Sequence, residues 1–293
     1  MRIEIGEQYY LDDPFMASAR LHQSRYRLET LRVDCDIYGN MLKDSDAKDL
    51  LNYYGRLGVR EELRKRYQKY SKIRDANMLR SEHIPFNMFA PLMGRLDLAK
   101  QIMQKAFGVQ LEKVTDIKIE YAPEPKEFYL YDGTSFDVYV NYLNSQGKIS
   151  GLGIEVKYTE HEYAVGLREK GNIENKKSKY WELTDSSGQF VDESKDYLAC
   201  DKMRQIWRNH LLGLAMKQRN DLSEFTSITM HPSGNLHFTK AILEYHSLMK
   251  PEFRKTVIGC TFEKYIDAIN GDVKILDWKK YLFERYIVGE TNG

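Results

Sequence analysis

The chain has 293 residues, of which 42% are hydrophobic and 12% aromatic, enough to bury a sizeable core and too much for a disordered chain. Its formal net charge is only +1, so the whole-chain balance does not mark a nucleic-acid binder. No apolar run reaches bilayer length, the early acids Glu4, Glu7, Asp12 and Asp13 do not suit a signal peptide, and Cys35, Cys200 and Cys260 are too few and too scattered for a disulfide framework or a zinc site. These features predict a cytoplasmic protein with free thiols and no membrane partner.

Residues 13–33 and 46–75 have helical composition and are separated by a turn-like Tyr38-Gly39-Asn40, which predicts an N-terminal helical extension over residues 1–79. Ser81 reads as the N-cap of a long apolar-periodic segment from Glu82 to Phe107 that closes at Gly108. Pro85 is tolerated in its first turn, whereas Pro91 is placed to kink or split it. A strand is expected from Val114 to Tyr121, ended by Pro123 and Pro125. Then come an alternating run (Phe136, Val138, Val140, Tyr142), a polar turn over residues 144–148, and a second apolar run from Ile149 to Val156. Together these read as a β-hairpin. Residues 159–195 are polar and irregular by pattern, which predicts a functional loop or lid with a short helix. A helix follows from Asp196 to Asn220, then a strand from Phe225 to Met230, a helix from Thr239 to Met249, a strand from Val257 to Phe262 and a final helix from Trp278 to Ile287. His231 and His237 flank a Pro-Ser-Gly turn and read as ordinary loop residues. This order argues an α/β sandwich with a central mixed sheet, as a domain over residues 80–293 that ends in helices.

The hairpin carries the chemistry. Residues two apart on a strand share a face, so Glu155 and Lys157 emerge together while Val156 points to the core. A residue near the start of one strand can lie beside one near the end of its partner, so Asp137, Glu155 and Lys157 can converge at one sheet edge. Taken alone, a Glu-x-Lys in a chain with 30% charged residues is most simply an exposed stripe. The run Gly151-Leu152-Gly153-Ile154 is too apolar for a solvent-facing strand, however, and an acid stands at hairpin distance upstream. Two carboxylates beside an ammonium suit metal-assisted phosphodiester hydrolysis. Magnesium, or manganese in its place, takes oxygen ligands and needs only one or two carboxylates, here Asp137 and Glu155. Lys157 would position or activate water.

Asp137 followed by Glu155-Val156-Lys157 resembles the PD-(D/E)XK nuclease superfamily. The proline of that pattern is absent, since Ser135-Phe136 precede the acid. The resemblance implies a restriction-endonuclease-like α/β/α sandwich over roughly residues 80–262. It also implies a further acid on the first helix, which Glu82 could supply, although Glu82 equally suits a helix N-terminus. Helices after the hairpin in this superfamily carry Gln or Lys near the site, and here Gln205, Arg208 and Asn209 share one helix face that could meet the scissile phosphate. Asn209 is more simply a solvated polar residue than Gln205. Asn87, polar amid apolar neighbours, either caps a backbone group or faces the site. The combination of Phe86-Asn87-x-Phe89-Ala90-Pro91-Leu92 with Gln205-x-x-Arg208-Asn209 resembles a subgroup of bacterial restriction endonucleases.

Basic residues cluster at Arg60–Arg74, Arg168–Lys179 and Lys202–Arg219, interleaved with Tyr67, Tyr70, Tyr180 and Trp207. They suit either phosphate and base contacts or solvated helix faces. The leading expectation is a magnesium-dependent endonuclease acting on DNA in restriction or repair, with homodimerisation left open. A catalytically silent nucleic-acid-binding module on the same fold is the alternative. A carboxylate-pair hydrolase acting on sugars is a third reading, disfavoured by Lys157 beside the pair.

Overall fold

A computed structural model describes residues 4–161 and 165–289, apart from the side chain of Ser194. Helix α1 (Pro14–Tyr26) starts where the Asp13 carboxylate accepts the Met16 N–H, with Pro14 in the first position. The expected first helix ends early, because a π-type turn over Arg27–Leu31 leads into Arg32 at φ 56°. The expected second one is also broken: α2 (Asp44–Lys48) and α3 (Val59–Arg66) are separated by Leu57 and Gly58, both left-handed at φ 57° and 84°.

The long segment predicted from Glu82 divides into α4 (Ile84–Met93) and α5 (Leu96–Phe107). Ser81 does not cap it by its side chain. Its carbonyl accepts the Ile84 N–H instead, and its own N–H donates to Glu160. The division falls at Gly94-Arg95 and not at Pro91, which α4 absorbs. Proline at 91 offers no N–H to the carbonyl of Asn87, and the indole N–H of Trp278 donates to that carbonyl at 2.8 Å.

Strands β1 (Lys113–Tyr121), β2 (Phe136–Leu143) and β3 (Ile149–Val156) follow as an antiparallel meander. The stretch expected as an irregular loop over 159–195 holds α6 (Leu167–Glu174) and α7 (Lys179–Ser186), while its residues 162–164 lie outside the described residues. Helix α8 (Asp201–Gln218) starts five residues later than expected, after short 3-10 turns over Asp192–Ala199. Then come β4 (Phe225–His231), α9 (Leu236–Ser247), β5 (Val257–Thr261), α10 (Phe262–Ala268) and α11 (Val273–Tyr286). His231 accordingly belongs to a strand and His237 to a helix rather than to a loop.

Among the described residues the strands form one five-stranded sheet in the order β1-β2-β3-β4-β5. The β3–β4 and β4–β5 pairs are parallel, joined by crossovers through α8 and α9. On one face Val138, Val140, Leu152, Ile154 and Val156 pack with α4, α5, α10 and α11. On the other, Phe136 and Tyr139 pack with α7, α8 and α9. Gly153 lies on this second face, where a Cβ would come within 2.4 Å of the Phe136 ring and 2.7 Å of Phe225, so only glycine lets those rings close over the sheet. The result is the expected restriction-endonuclease-like α/β/α sandwich with a mixed sheet. The cysteines are free thiols, and no helix among the described residues is long and apolar enough to cross a membrane.

The N-terminal segment contributes Ala19, Leu50, Tyr53, Val59 and Leu63 to the same core as Phe86, Phe89 and Tyr286. Asn87 is buried at the junction. Its Oδ1 accepts the Tyr54 N–H at 2.8 Å, while its Nδ2 donates to the Asn52 carbonyl at 3.1 Å and to the Tyr286 hydroxyl at 2.6 Å. Asn87 therefore serves backbone groups and not the sheet edge. Removing this amide strands three buried partners. Asn87→Ala should lower the unfolding free energy by roughly 1–3 kcal/mol, read as an earlier urea midpoint. An unchanged midpoint would contradict this account of the junction.

Candidate active site

The strand register assembles the site. Val138 pairs with Ile154 on β3 and with Ile119 on β1. One step along both ladders, Asp137 therefore lies between Glu155 and Glu120. Glu155 is in turn the register partner of Thr229 on β4. Three acids thus stand in one cross-strand row, where directly opposed like charges repel.

Asp137 and Glu155 are held differently. Asp137 Oδ2 accepts the backbone N–H of Val156 at 2.7 Å. Glu155 is buried and surrounded by donors. Lys157 Nζ lies 2.5 Å from its Oε1, Gln205 donates to the same oxygen at 2.6 Å, and Asn209 donates to Oε2 at 2.6 Å. Gln205 and Asn209 are four apart on α8 and so reach the carboxylate side by side. Hydrogen bonds to a charged group are worth about 1.5–3 kcal/mol each, so this set fixes the orientation of Glu155. The expected polar face of α8 is thus only partly as foreseen. Asn209 is buried on Glu155 rather than solvated. Arg208 turns to Thr134 Oγ1 (2.9 Å) and to the buried carboxylate of Glu169 (3.0 Å), because a deeply placed acid competes for its guanidinium.

Charge in the row is unbalanced. Burial, with Glu155 and then Glu120 nearby, pushes the Asp137 carboxyl well above its ordinary value, outweighing Lys157 and the Val156 N–H. Burial and the Glu155 charge likewise push Glu120 up to about 7. Burial works against the Lys157 ammonium, but Glu155, Asp137 and Glu160 outweigh it and hold its pKa above the ordinary lysine value. Three acids thus face one lysine in this row, an imbalance that a cation would offset. Among the described residues no three His, Cys, Asp or Glu side chains are grouped so that together they could hold a metal ion. A hard cation needs only one or two carboxylates, and the donor set here is oxygen throughout.

Glu82 lies at the rim. Both its oxygens are taken by Arg80, at 2.8 and 3.1 Å, and despite burial this pairing holds its carboxyl below the ordinary value. It is close enough to Lys157 and Glu120 for their charges to matter. Glu120 itself escapes a reading of the sequence. No alternation gives its face, since Ile119 and Tyr121 pack on opposite sides of the sheet, and only the β1–β2 register puts it beside Asp137. Glu120 also sits at φ 57°, strained for a residue with a side chain. Many basic residues of the three clusters pair with acids: Lys72 with Asp36, Arg74 with Asp75, Lys176 with Asp196, Lys202 with Glu244. Lys65 pairs with Glu62 as well, and Arg64, Lys65, Arg66 and Lys69 are exposed.

A family model of the PD-(D/E)XK nuclease superfamily matches residues 10–288, and the chain belongs to that superfamily. Membership indicates nuclease activity and hence a nucleic-acid substrate. No curated protein and no solved structure matches the chain.

The raised carboxyls have a consequence for stability. Asp137 and Glu120 hold their protons more tightly folded than unfolded, so between the unfolded value of 4.5 for Glu120 and its folded value near 7 the native state binds more protons. The stabilisation present below that window is therefore lost as pH rises through it. In chelator, Glu120→Gln should match wild type near pH 4.5 but melt higher at pH 8, by roughly 2–4 °C for about 1 kcal/mol of relieved repulsion. A lower melting temperature for the variant at pH 8 would contradict the crowded-acid description.

Proposed function

We propose that this chain is a cytoplasmic magnesium-dependent endonuclease that hydrolyses DNA phosphodiester bonds in restriction or repair, with manganese able to replace magnesium. The observation that carries the reading is the placement of Asp137 and Glu155 in adjacent register with the Lys157 ammonium 2.5 Å from Glu155. In this reading Asp137 and Glu155 would hold the cation, while Glu120 adds negative charge to the same row without being a third ligand. The bound cation supplies charge neutralisation at the phosphate and acidifies water.

The remaining residues set geometry and charge. As an ammonium, Lys157 can only donate hydrogen bonds, so it orients the attacking water through its oxygen and offsets charge growing on the phosphate. Gln205 and Asn209 keep Glu155 turned toward the sheet edge. Glu82, bridged to Arg80, orders solvent at the rim rather than entering the centre. A catalytically silent module would retain this sandwich but would not depend on these side chains.

Supercoiled plasmid tests the reading. Asp137→Asn, Glu155→Gln and Lys157→Ala should each cut magnesium-dependent nicking by roughly 100-fold or more, with circular dichroism unchanged. Gln205→Ala should cost roughly tenfold in turnover, about 1.4 kcal/mol, with DNA affinity little changed. Near-wild-type cleavage by any of the first three would remove that residue from the mechanism. Calcium should support binding with little cutting, because its looser shell positions water less well. Cleavage that persists in excess chelator, or that needs zinc, would sink the proposal.

A further inference from the structure

A pocket of about 580 Å³ lies between the N-terminal segment and the end of the catalytic strand, a volume typical of small-ligand sites. Tyr9, Ile37 and Tyr38 form its outer wall, and Arg80, Thr159 and Glu160 its inner one. The two tyrosine rings meet edge to face at 5.7 Å. Arg20 braces both, with its guanidinium carbon 5.7 Å from the Tyr9 ring centre and 5.4 Å from that of Tyr38. Arg20 is itself fixed by the Asp12 carboxylate and the Asn40 side chain. The aromatic wall is therefore organised before any ligand arrives. Ile37 at its lip is 63% exposed, an apolar group left in water beside the cations Lys72 and Arg80.

The pocket is linked to the acid row through the chain and through Arg80. Thr159 and Glu160 follow Lys157 by two and three residues, and Glu160 contributes to the charge felt by Lys157. Arg80 bridges the two places, with Glu82 at 2.8 Å and Glu160 at 3.6 Å. A braced aromatic wall suits a planar ring, while the rim cations Lys72 and Arg80 are each paired with a carboxylate, Asp36 and Glu82. Every base offers a face that can stack on an aromatic ring. A base still paired and stacked in a duplex cannot enter such a pocket, whereas an unpaired or extruded one can.

Resting on the nuclease reading above, we infer that this pocket receives an unpaired nucleobase next to the scissile phosphate. The preferred substrate is then DNA with single-stranded or unpaired bases at the cut. Tyr38 and Tyr9 stack on the base, and Ile37 covers the open edge.

Oligonucleotides carrying 2-aminopurine, as a single strand and in a fully paired duplex, test this with the full chain in calcium. The single strand should bind at least tenfold more tightly than the duplex, with a change in 2-aminopurine fluorescence. Tyr38→Ala and the surface variant Ile37→Glu should each lose that preference and that change, while Tyr38→Phe keeps both. The Ile37 variant decides the matter if removal of the Tyr38 ring disturbs folding. Equal affinity for the two DNAs, or a preference that Ile37→Glu leaves intact, would overturn the inference. Plasmid cutting in magnesium separates the two levels. Cutting that continues while the base signal is absent overturns the pocket alone, and absence of both binding and cutting overturns the pocket together with the nuclease reading.

Discussion

The constraint on which this structure depends is the meeting of Glu120, Asp137 and Glu155 at one level of three neighbouring strands. Opposed like charges weaken a sheet, and here they stand at the end of strands whose other side chains are packed apolar groups. The fold accommodates the row locally. The Val156 N–H serves Asp137, while Lys157, Gln205 and Asn209 surround Glu155. The charges of Arg66 and Arg74 draw Glu120 down, but they do not offset its burial and the Glu155 charge. Such repulsion is kept where the groups have work to do, since fields that shift carboxyls in this way are those that attract a divalent cation.

Position follows from packing on both faces. Val138, Ile154 and Val156 anchor the hairpin to the α4 and α5 side. Gly153 lets Phe136 and Phe225 close against the α8 side, which brings Gln205 and Asn209 within reach of Glu155. The N-terminal segment takes part in this scaffold. Gln23 donates to the Tyr158 hydroxyl at 2.7 Å, one residue beyond Lys157, and to the Arg285 carbonyl at 2.6 Å. Asn87 links the same segment to α11 through Tyr286. The end of β3 is therefore held by both the N-terminal segment and α11, and the aromatic pocket forms beside that clasp.

Much of this was legible before any coordinates. The hairpin, the apolar run before Glu155 and the Glu-x-Lys spacing pointed to the convergence of Asp137, Glu155 and Lys157, and the 3.6-residue period of α8 put Gln205 and Asn209 on one face, which meets Glu155. What escaped depended on distance in sequence. Glu120 joins the row only through the β1–β2 register, which no local pattern sets. The pairing of Arg208 with Glu169 was hidden because Glu169 lies in a stretch that reads as a loop. That stretch forms helices because Tyr180, Trp181 and Leu183 bury against α8, a tertiary contact that overrides its polar composition. The N-terminal helices broke where Arg32 and Leu57 adopt left-handed backbone, conformations that neither residue advertises. Pro91 was absorbed because Trp278, far along the chain, serves the carbonyl it leaves free.

The most direct test of the central claim is a crystal of this chain soaked in manganese and measured for anomalous scattering. The account expects a peak between Asp137 and Glu155 with oxygen neighbours only, at the distances of about 2.0–2.2 Å that hard-cation coordination requires. It also expects that peak to vanish in Asp137→Asn. Manganese bound elsewhere, with the acid row empty at saturating ion, would contradict it.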